Sequence, residues 1–278
     1  MSMDASAHCA AIVRAGNRDR YLADLFAPEA VRPHLLALHA FDVEVATVRD
    51  KVKEPMLGEI RLEWWRQALR GDHGGQPVAA ALAETIARFN LPIGAFDNLL
   101  QARIFDLYDD PMPTVGDLEG YAGDTASAII QLTAIILAGG KEPGSAEAAG
   151  LAGVALAVTG ILANLPASAA RGQCYLPADR LAVVGAAPAD LRSEPTTEGV
   201  RTVFADLAAL ARERLAAARQ AMGALDRAIL PAFLPAAVVE PMLNRMTKPA
   251  YDPLRDGVDL SPLRRQWITW TAARRGRV

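Results

Sequence analysis

The stretch from Ala148 to Ala170 contains no charged side chain and is rich in alanine. A run of this length and apolarity can fold in two ways, as the central helix of a large helical domain or as a membrane-spanning helix. Gly153, Asn164 and Pro166 interrupt the run, and alanine outnumbers leucine in it, which favours the buried central helix. A membrane-spanning helix is the alternative. In both cases the rest of the chain must be organised around this segment.

Helical periodicity dominates the rest of the chain. Of the 278 residues, 51% are hydrophobic but only 6% are aromatic, and alternating β-branched stretches are few, which favours helices over strands. The predicted helices are Ala5–Ala15, Asp19–Leu25, Pro28–Lys51, Pro55–Leu69, Gln76–Phe89, Ile93–Leu107, Val115–Ala138, Ala146–Asn164, Pro188–Leu191, Thr197–Met222, Ala228–Pro231, Ala236–Met246 and Ser261–Arg274. No repeat or linker divides the sequence, so we predict one all-α domain over residues 1–278.

Charge, cysteine usage and motif content exclude several classes of function. A net charge of −3 at pH 7 argues against nucleic acid as a partner, because nucleic acid requires a basic face. Cys9 and Cys174 form no CxxC pair, so neither a disulfide framework nor a zinc site is predicted. Residues 1–20 lack the apolar core of a signal peptide, and a cytoplasmic location is expected. The motifs GxSxG, HExxH and GxGxxG are absent.

Asp106, Asp109 and Asp110 form an acidic cluster that could hold a hard cation. At spacings of three and four residues, their carboxylates would share one face of a helix. Pro111 and Pro113 follow at once, so the helix is expected to end at the cluster. The favoured interpretation is therefore that these acids are solvated at a helix end, and the cluster is only a weak candidate for binding Mg²⁺.

The C-terminal segment, residues 258–278, is predicted to be a basic amphipathic helix. It contains Trp267 and Trp270 together with five arginines. These arginines are Arg264, Arg265, Arg274, Arg275 and Arg277. The composition suits contact with an anionic membrane surface or with an acidic partner protein. The favoured interpretation is nevertheless a terminal helix whose tryptophans pack on the core and whose arginines are solvated.

The segment Phe41–Asp50, with KVKEPMLGEIRLEWWR after it, resembles the first aspartate-rich helix of the squalene/phytoene synthase family. In that family the helix carries the pattern DDxxD, which binds magnesium and a prenyl diphosphate. The matching residues here are Ala46-Thr47-Val48-Arg49-Asp50. One acid is therefore kept, and an arginine stands beside it.

The segment Thr159–Pro177 resembles the second aspartate motif of the same family and its tail. Asn164 stands at the first aspartate of that motif, and Ala167 and Ser168 replace the acidic pair that follows. The tail Arg171–Pro177 keeps the arginine-glycine pair and the Tyr-Leu-Pro of the family. Both metal-binding motifs have thus lost most of their carboxylates.

The resemblance implies an isoprenoid-synthase-type helical bundle around a central cavity, with altered chemistry. In active members, magnesium ions held by carboxylates neutralise the charge that develops on the leaving diphosphate. Losing that Lewis-acid contribution costs several kcal/mol, and each ~1.4 kcal/mol is a factor of ten in rate. Asp50 alone cannot replace two facing carboxylate clusters. We therefore expect no cofactor, and Mg²⁺ is implied only if the chain is an active enzyme.

The altered motifs resemble those of one branch of the family, the complex I assembly factor branch. The residues that carry this likeness are Ala40–Asp50, Gly58–Trp65 and Tyr121–Ser127. The resemblance implies a role in assembling respiratory NADH:ubiquinone oxidoreductase (complex I), with assembly intermediates as partners and an isoprenoid lipid as a candidate ligand. It also implies a peripheral position on the inner face of the plasma membrane, or on the inner mitochondrial membrane, and the composition of the C-terminal helix makes that helix the candidate for the contact.

Three hypotheses follow from the sequence. The chain is a non-catalytic assembly protein, an active head-to-head prenyl diphosphate transferase, or a lipid-binding protein without a respiratory role. The candidate ligand-binding residues implied by the resemblance are Arg49, Asp50, Asn164, Arg171 and Tyr175. Asp50, Asp106, Asp109 and Asp110 are weak metal candidates, and no catalytic residue is assigned.

Overall fold

The computed structural model describes residues 3–278, and over that range it contains helices and no strand. The α-helices are α1 Met3–Gly16, α2 Arg18–Asp24, α3 Arg32–Ala46, α4 Val48–Lys51, α5 Pro55–Ala68, α6 Pro77–Phe89, α7 Ile93–Ala102, α8 Val115–Ala122, α9 Ala128–Leu137, α10 Ala146–Ala163, α11 Leu165–Ala170, α12 Ala178–Val183, α13 Glu198–Ala221, α14 Val239–Met246 and α15 Pro262–Arg275. Short 3₁₀ helices lie at Phe105–Leu107, Pro188–Arg192, Met222–Ala224, Arg227–Ala232 and Leu234–Val238, and a π-helical turn lies at Gly123–Ser127. The predicted all-α class is confirmed.

The charge-free segment forms most of α10 and all of α11. Helix α10 is the one helix among the described residues long and apolar enough to cross a membrane. It packs along α13, and Ala152, Val158 and Leu162 on this side are fully buried. Leu156 and Ile161 lie on another face and line a cavity. Because α10 meets the core on one side and this cavity on another, Glu147 in its first turn is its one charged residue.

Two clusters of buried apolar side chains hold the helices together. The first includes Phe41 of α3, whose ring makes edge contacts with Trp65 and Phe96. The second surrounds α10 and α13 and includes Phe204 and Phe233. Helix α9 contributes side chains to both clusters, and the cavity described below is lined by residues from helices of both.

The helix boundaries differ from the sequence prediction at three places near that cavity. The predicted helix Pro28–Lys51 is interrupted at Thr47, and the predicted helix Val115–Ala138 contains the π-helical turn. The predicted helix Ile93–Leu107 ends at Ala102. The hydroxyls of Thr47 and Thr125 donate to backbone carbonyls four residues earlier, at 2.8 and 2.6 Å. Such bonds compete with the regular helical pattern. The short helices α11 and α12 were not predicted.

Candidate functional site

A cavity of about 510 Å³ lies among the α-helices α2, α3, α4, α8, α10 and α11 and the connections near them. Its polar wall carries four arginines and four aspartates, while part of α10 and Pro235 form an apolar wall. The charged lining residues are Asp19, Arg20, Asp42, Arg49, Asp50, Arg103, Asp106 and Arg171. Equal numbers of opposite charges in one cavity indicate that the side chains neutralise one another, and the contacts below bear this out.

The two degenerate motifs face this cavity at two helix interruptions. The helical conformation is interrupted at Thr47, between α3 and α4, where φ is −100° and ψ is 10°. It is interrupted again at Asn164, between α10 and α11, where φ is −98° and ψ is 7°. Both conformations lie near the bridge region of the Ramachandran plot. Pro166, in the first turn of α11, cannot continue the hydrogen bonding of α10. Arg49, Asp50 and Asn164, which lie at or next to these interruptions, line the cavity.

All five residues predicted to bind a ligand line this one cavity. They are Arg49, Asp50, Asn164, Arg171 and Tyr175. The structure therefore brings together positions that are more than 120 residues apart in sequence, as the resemblance implied. Their contact with a ligand stays a prediction.

Asp42 lies at the buried end of the cavity and is paired with two arginines. Arg20 of α2 donates to one of its carboxylate oxygens, and Arg103 lies 3.4 Å from the other. Asp42 and Arg20 are each about 5% exposed, so the pair is shielded from water. Burial would raise the pKa of Asp42, but the charges of Arg20, Arg103 and His39 outweigh it and lower that pKa below its ordinary value. Asp42 is therefore ionised and already neutralised.

Asp106 forms the second part of the same buried network. Tyr175 donates to its Oδ1 at 2.6 Å, Tyr121 donates to the same oxygen at 2.8 Å, and Arg103 donates to its Oδ2 at 3.1 Å. Burial, reinforced by the charge of Asp106, raises the pKa of Tyr175. Burial also raises the pKa of Tyr121, against the charge of Arg103. Both hydroxyls therefore stay protonated and act as donors to Asp106.

The candidate residues nearer the solvent form more exposed pairs. Arg49 donates to Asp109 at 3.1 Å, and Arg171 lies 4.0 Å from Asp50. The side chains of Arg171 and Asp50 are 41% and 57% exposed, so both can reorient toward a ligand. Exposed pairs of this kind contribute little to stability, roughly 0–1 kcal/mol. These arginines are consequently the groups of the cavity most available to an anionic ligand.

The acidic cluster predicted from the sequence does not share one helix face. Asp106 lies in a 3₁₀ turn, is 7% exposed and lines the cavity, whereas Asp109 and Asp110 are exposed and do not line it. The expectation that all three acids are solvated is wrong for Asp106, because Tyr121 and Tyr175 bind its carboxylate. Sequence reasoning did not foresee this partnership.

The magnesium ions implied by the resemblance can be tested against the donors present. Mg²⁺ requires an octahedron of oxygen ligands, part of which active members supply with carboxylates. Between residues 3 and 278, no three His, Cys, Asp or Glu side chains are grouped so that they could hold a metal ion. Asp19, Asp42, Asp50 and Asp106 each have an arginine within 4 Å. The residues present do not fit a magnesium cluster.

Sequence reasoning missed the buried residues Arg20, Asp42 and Arg103 as members of the site. A signal existed for Asp42, since it is the one acid in a stretch of α3, from Leu35 to Val43, that is apolar apart from His39. Its partners could not be found from local patterns, because they lie 22 and 61 residues away in sequence.

The low pKa of Asp42 predicts an acid-dependent loss of stability. A carboxylate whose folded-state pKa lies below its unfolded value, about 3.9, stabilises the fold above that value, and the contribution is lost as pH falls through the folded pKa. We expect the free energy of unfolding to fall below pH ~4 more steeply for the unaltered protein than for Asp42→Asn. Urea unfolding across the acid range measures this difference. Asp72→Asn, at an exposed position, is the control, and equal slopes for the unaltered protein and Asp42→Asn would contradict the prediction.

The helical arrangement and the cavity together define a protein with the squalene synthase fold. The structure superposes on squalene synthase HpnC from Alicyclobacillus acidocaldarius with a TM-score of 0.75, covering 87% of this chain and 93% of that one at 24% identity. On a dehydrosqualene synthase the TM-score is 0.81, covering 98% of this chain and 96% of that one at 20% identity. At these identities, the likeness concerns the fold.

Sequence comparison gives the family. The sequence model of the squalene/phytoene synthase family matches residues 13–267, so the chain belongs to that family. A rat protein named NADH dehydrogenase (ubiquinone) complex I, assembly factor 6 is 29% identical over 253 residues, which cover 90% of this chain and 76% of the rat protein. A phytoene synthase from Thermus thermophilus is 28% identical over 248 residues, covering 87% of this chain and 83% of that enzyme. Relatives named for two different functions therefore have similar sequence identity to this chain.

Proposed function

We propose that this protein is a non-catalytic member of the squalene/phytoene synthase family that acts in the assembly of respiratory complex I. One observation carries the non-catalytic part: every carboxylate that lines the cavity has an arginine partner, and most acids of the two metal motifs are replaced. The likeness to proteins named complex I assembly factor 6 supports the assembly part.

The cavity supports binding of an isoprenoid or a similar amphiphile. Its volume of about 510 Å³ falls within the range of ligand pockets. Leu156, Ile161 and Pro235 offer an apolar wall, and Arg49 and Arg171 offer guanidinium groups that bind phosphate directly.

Deletion of the gene in its host tests the assembly role. Cells that lack the protein should lose NADH-driven quinone reduction and assembled complex I, while succinate-driven respiration continues. The unaltered gene and a variant carrying Arg61→Gln, at an exposed position on α5 away from the cavity, should both restore assembly. Normal complex I in the deletion strain, with altered membrane lipids instead, would favour a lipid-binding protein without a respiratory role.

The second candidate function is that of an active head-to-head prenyl transferase, and the similarity to the Thermus phytoene synthase favours it. The proposal predicts no product when the purified protein is incubated with farnesyl or geranylgeranyl diphosphate and Mg²⁺, because each aspartate that lines the cavity in the described part of the chain has an arginine within 4 Å. The Thermus enzyme is the positive control. Magnesium-dependent product that disappears in Asp50→Asn and in Asp106→Asn would establish the second function instead.

Mass spectrometry of lipids that copurify with the protein tests the ligand directly. We expect an isoprenoid or another amphiphile with an anionic end to be enriched in the unaltered protein and depleted in the double variant Arg49→Gln, Arg171→Gln. Arg61→Gln serves as the matched control. If all three proteins contained the same lipids, the cavity around Arg49 and Arg171 would not be the site that binds them.

A further inference from the structure

The C-terminal helix α15 presents apolar side chains directly to solvent. Leu263, Trp267, Trp270 and Arg274 follow one another at spacings of four, three and four residues, which places them within an arc of ~60° on the helix. The three apolar residues are 78%, 65% and 43% exposed. We call these four residues the α15 ridge. The interpretation in which the tryptophans pack on the core does not hold.

The opposite face of α15 fixes the helix to the rest of the protein. Thr269 and Ala272 are buried there, and Arg265 donates to both Asp19 and Asp259. Arg227 donates to carbonyls in the last turn of the helix. The ridge is therefore exposed because it faces away from a docked helix. An aromatic ridge that points outward from a well-anchored helix is expected at an interaction surface.

The charge around the ridge is positive. Five of the 29 Lys and Arg residues lie between Leu260 and Val278, and none of the 32 Asp and Glu residues does, which leaves 24 basic residues against 32 acidic ones elsewhere. Arg264, Arg275 and Arg277 form no ion pair among the described residues. The guanidinium of Arg274 lies 5.4 Å from the ring centre of Trp270. A basic surface on an acidic protein indicates an anionic partner.

Two further apolar side chains border α15. Leu25, 46% exposed, shares a groove with Pro262 and Gln266 at the start of the helix. Phe26, 42% exposed, shares a smaller groove with Ala273 near its end. One exposed apolar side chain thus lies beside the start of the helix and another beside its end.

We propose that the α15 ridge and its arginines bind the surface of an anionic lipid bilayer. The helix would lie in the plane of the membrane, with Leu263 and the two tryptophans at the boundary between headgroups and acyl chains and the arginines at the lipid phosphates. Tryptophan and arginine are the residues suited to this position, since each has an apolar part and a polar end. The ridge is convex, which suits insertion into a fluid surface better than docking on a rigid acidic protein. This inference does not depend on the proposed function.

Vesicle flotation of the full chain tests the inference. We compare vesicles of phosphatidylcholine alone with vesicles of two parts phosphatidylcholine and one part phosphatidylglycerol. The protein should float with the anionic vesicles, with a blue shift of its tryptophan fluorescence, and should be released at about 0.5 M salt, where charges are screened. No flotation with anionic vesicles would overturn the proposal and assign the ridge to an acidic protein partner. Equal binding to both vesicles would also overturn it.

Two pairs of variants separate the apolar and the electrostatic contributions. Trp267→Ala with Trp270→Ala should weaken binding to anionic vesicles roughly tenfold or more, whereas Trp64→Ala, at another exposed position, should not. Arg264→Gln with Arg275→Gln should weaken it by roughly fivefold per arginine, whereas Arg61→Gln should leave it unchanged. Circular dichroism verifies that each variant is folded. Unchanged binding in either double variant would refute the proposed surface.

Discussion

Replacing Arg103 by methionine is expected to lower the melting temperature by roughly 10 °C. The guanidinium contacts Asp42, Asp106 and the hydroxyl of Tyr121, and its side chain is only 15% exposed. Removing one partner from a buried charged network costs about 3 kcal/mol or more, because the remaining charges keep their desolvation cost. In a chain of this size each kcal/mol corresponds to about 2–4 °C. Thermal unfolding followed by circular dichroism measures the shift.

Arg70→Met is the matched control, since it removes the same charged group from an exposed ion pair. Arg70 lies 2.7 Å from Asp97, and its side chain is 49% exposed. Surface pairs of this kind contribute about 1 kcal/mol or less, so the melting temperature should change by a few degrees at most. If the two variants unfolded at the same temperature, the buried network would not be a main source of stability.

The network around Arg103 also marks the limit of what the sequence could predict. The helical class and the central helix α10 follow from periodicity and from the lack of charge between Ala148 and Ala170, both of which are local properties. The positions of Arg49 and Asn164 follow from motif likeness, because a motif fixes which residues face the cavity even when their chemistry has changed.

The pairing of charges inside the cavity could not be predicted in this way. Asp106 was interpreted as a solvated acid because two prolines follow it closely, yet Tyr121 and Tyr175, 15 and 69 residues away, bury it. Likewise, the break at Thr47 interrupts a segment that its apolar periodicity predicts to be one continuous helix. Where an ionisable residue is neutralised by a distant partner, tertiary packing decides its state, and local patterns contain no information about it.

The second large effect is expected for Gly153→Ala in α10. A Cβ at position 153 would overlap the side-chain oxygen, Cα and backbone nitrogen of Ser127 in the π-helical turn. Because most of these atoms belong to the backbone, no change of rotamer relieves the overlap, and α10 must move away from the turn. Overpacking of this kind costs about 3 kcal/mol, which urea unfolding measures. The same displacement should also disturb the cavity, since Thr125 and Ala126 of the turn line it.

Gly150→Ala provides the control within the same helix. A Cβ at position 150 meets no atom within 4 Å, so the substitution adds only the higher helix propensity of alanine. We expect Gly150→Ala to stabilise the protein by up to ~1 kcal/mol, because glycine in a helix loses more conformational entropy on folding than alanine does. Two glycines three residues apart should therefore respond in opposite directions to the same change. If Gly153→Ala were as stable as Gly150→Ala, α10 and the π-helical turn would not be in direct backbone contact, and the wall that they form for the cavity would have to be placed differently.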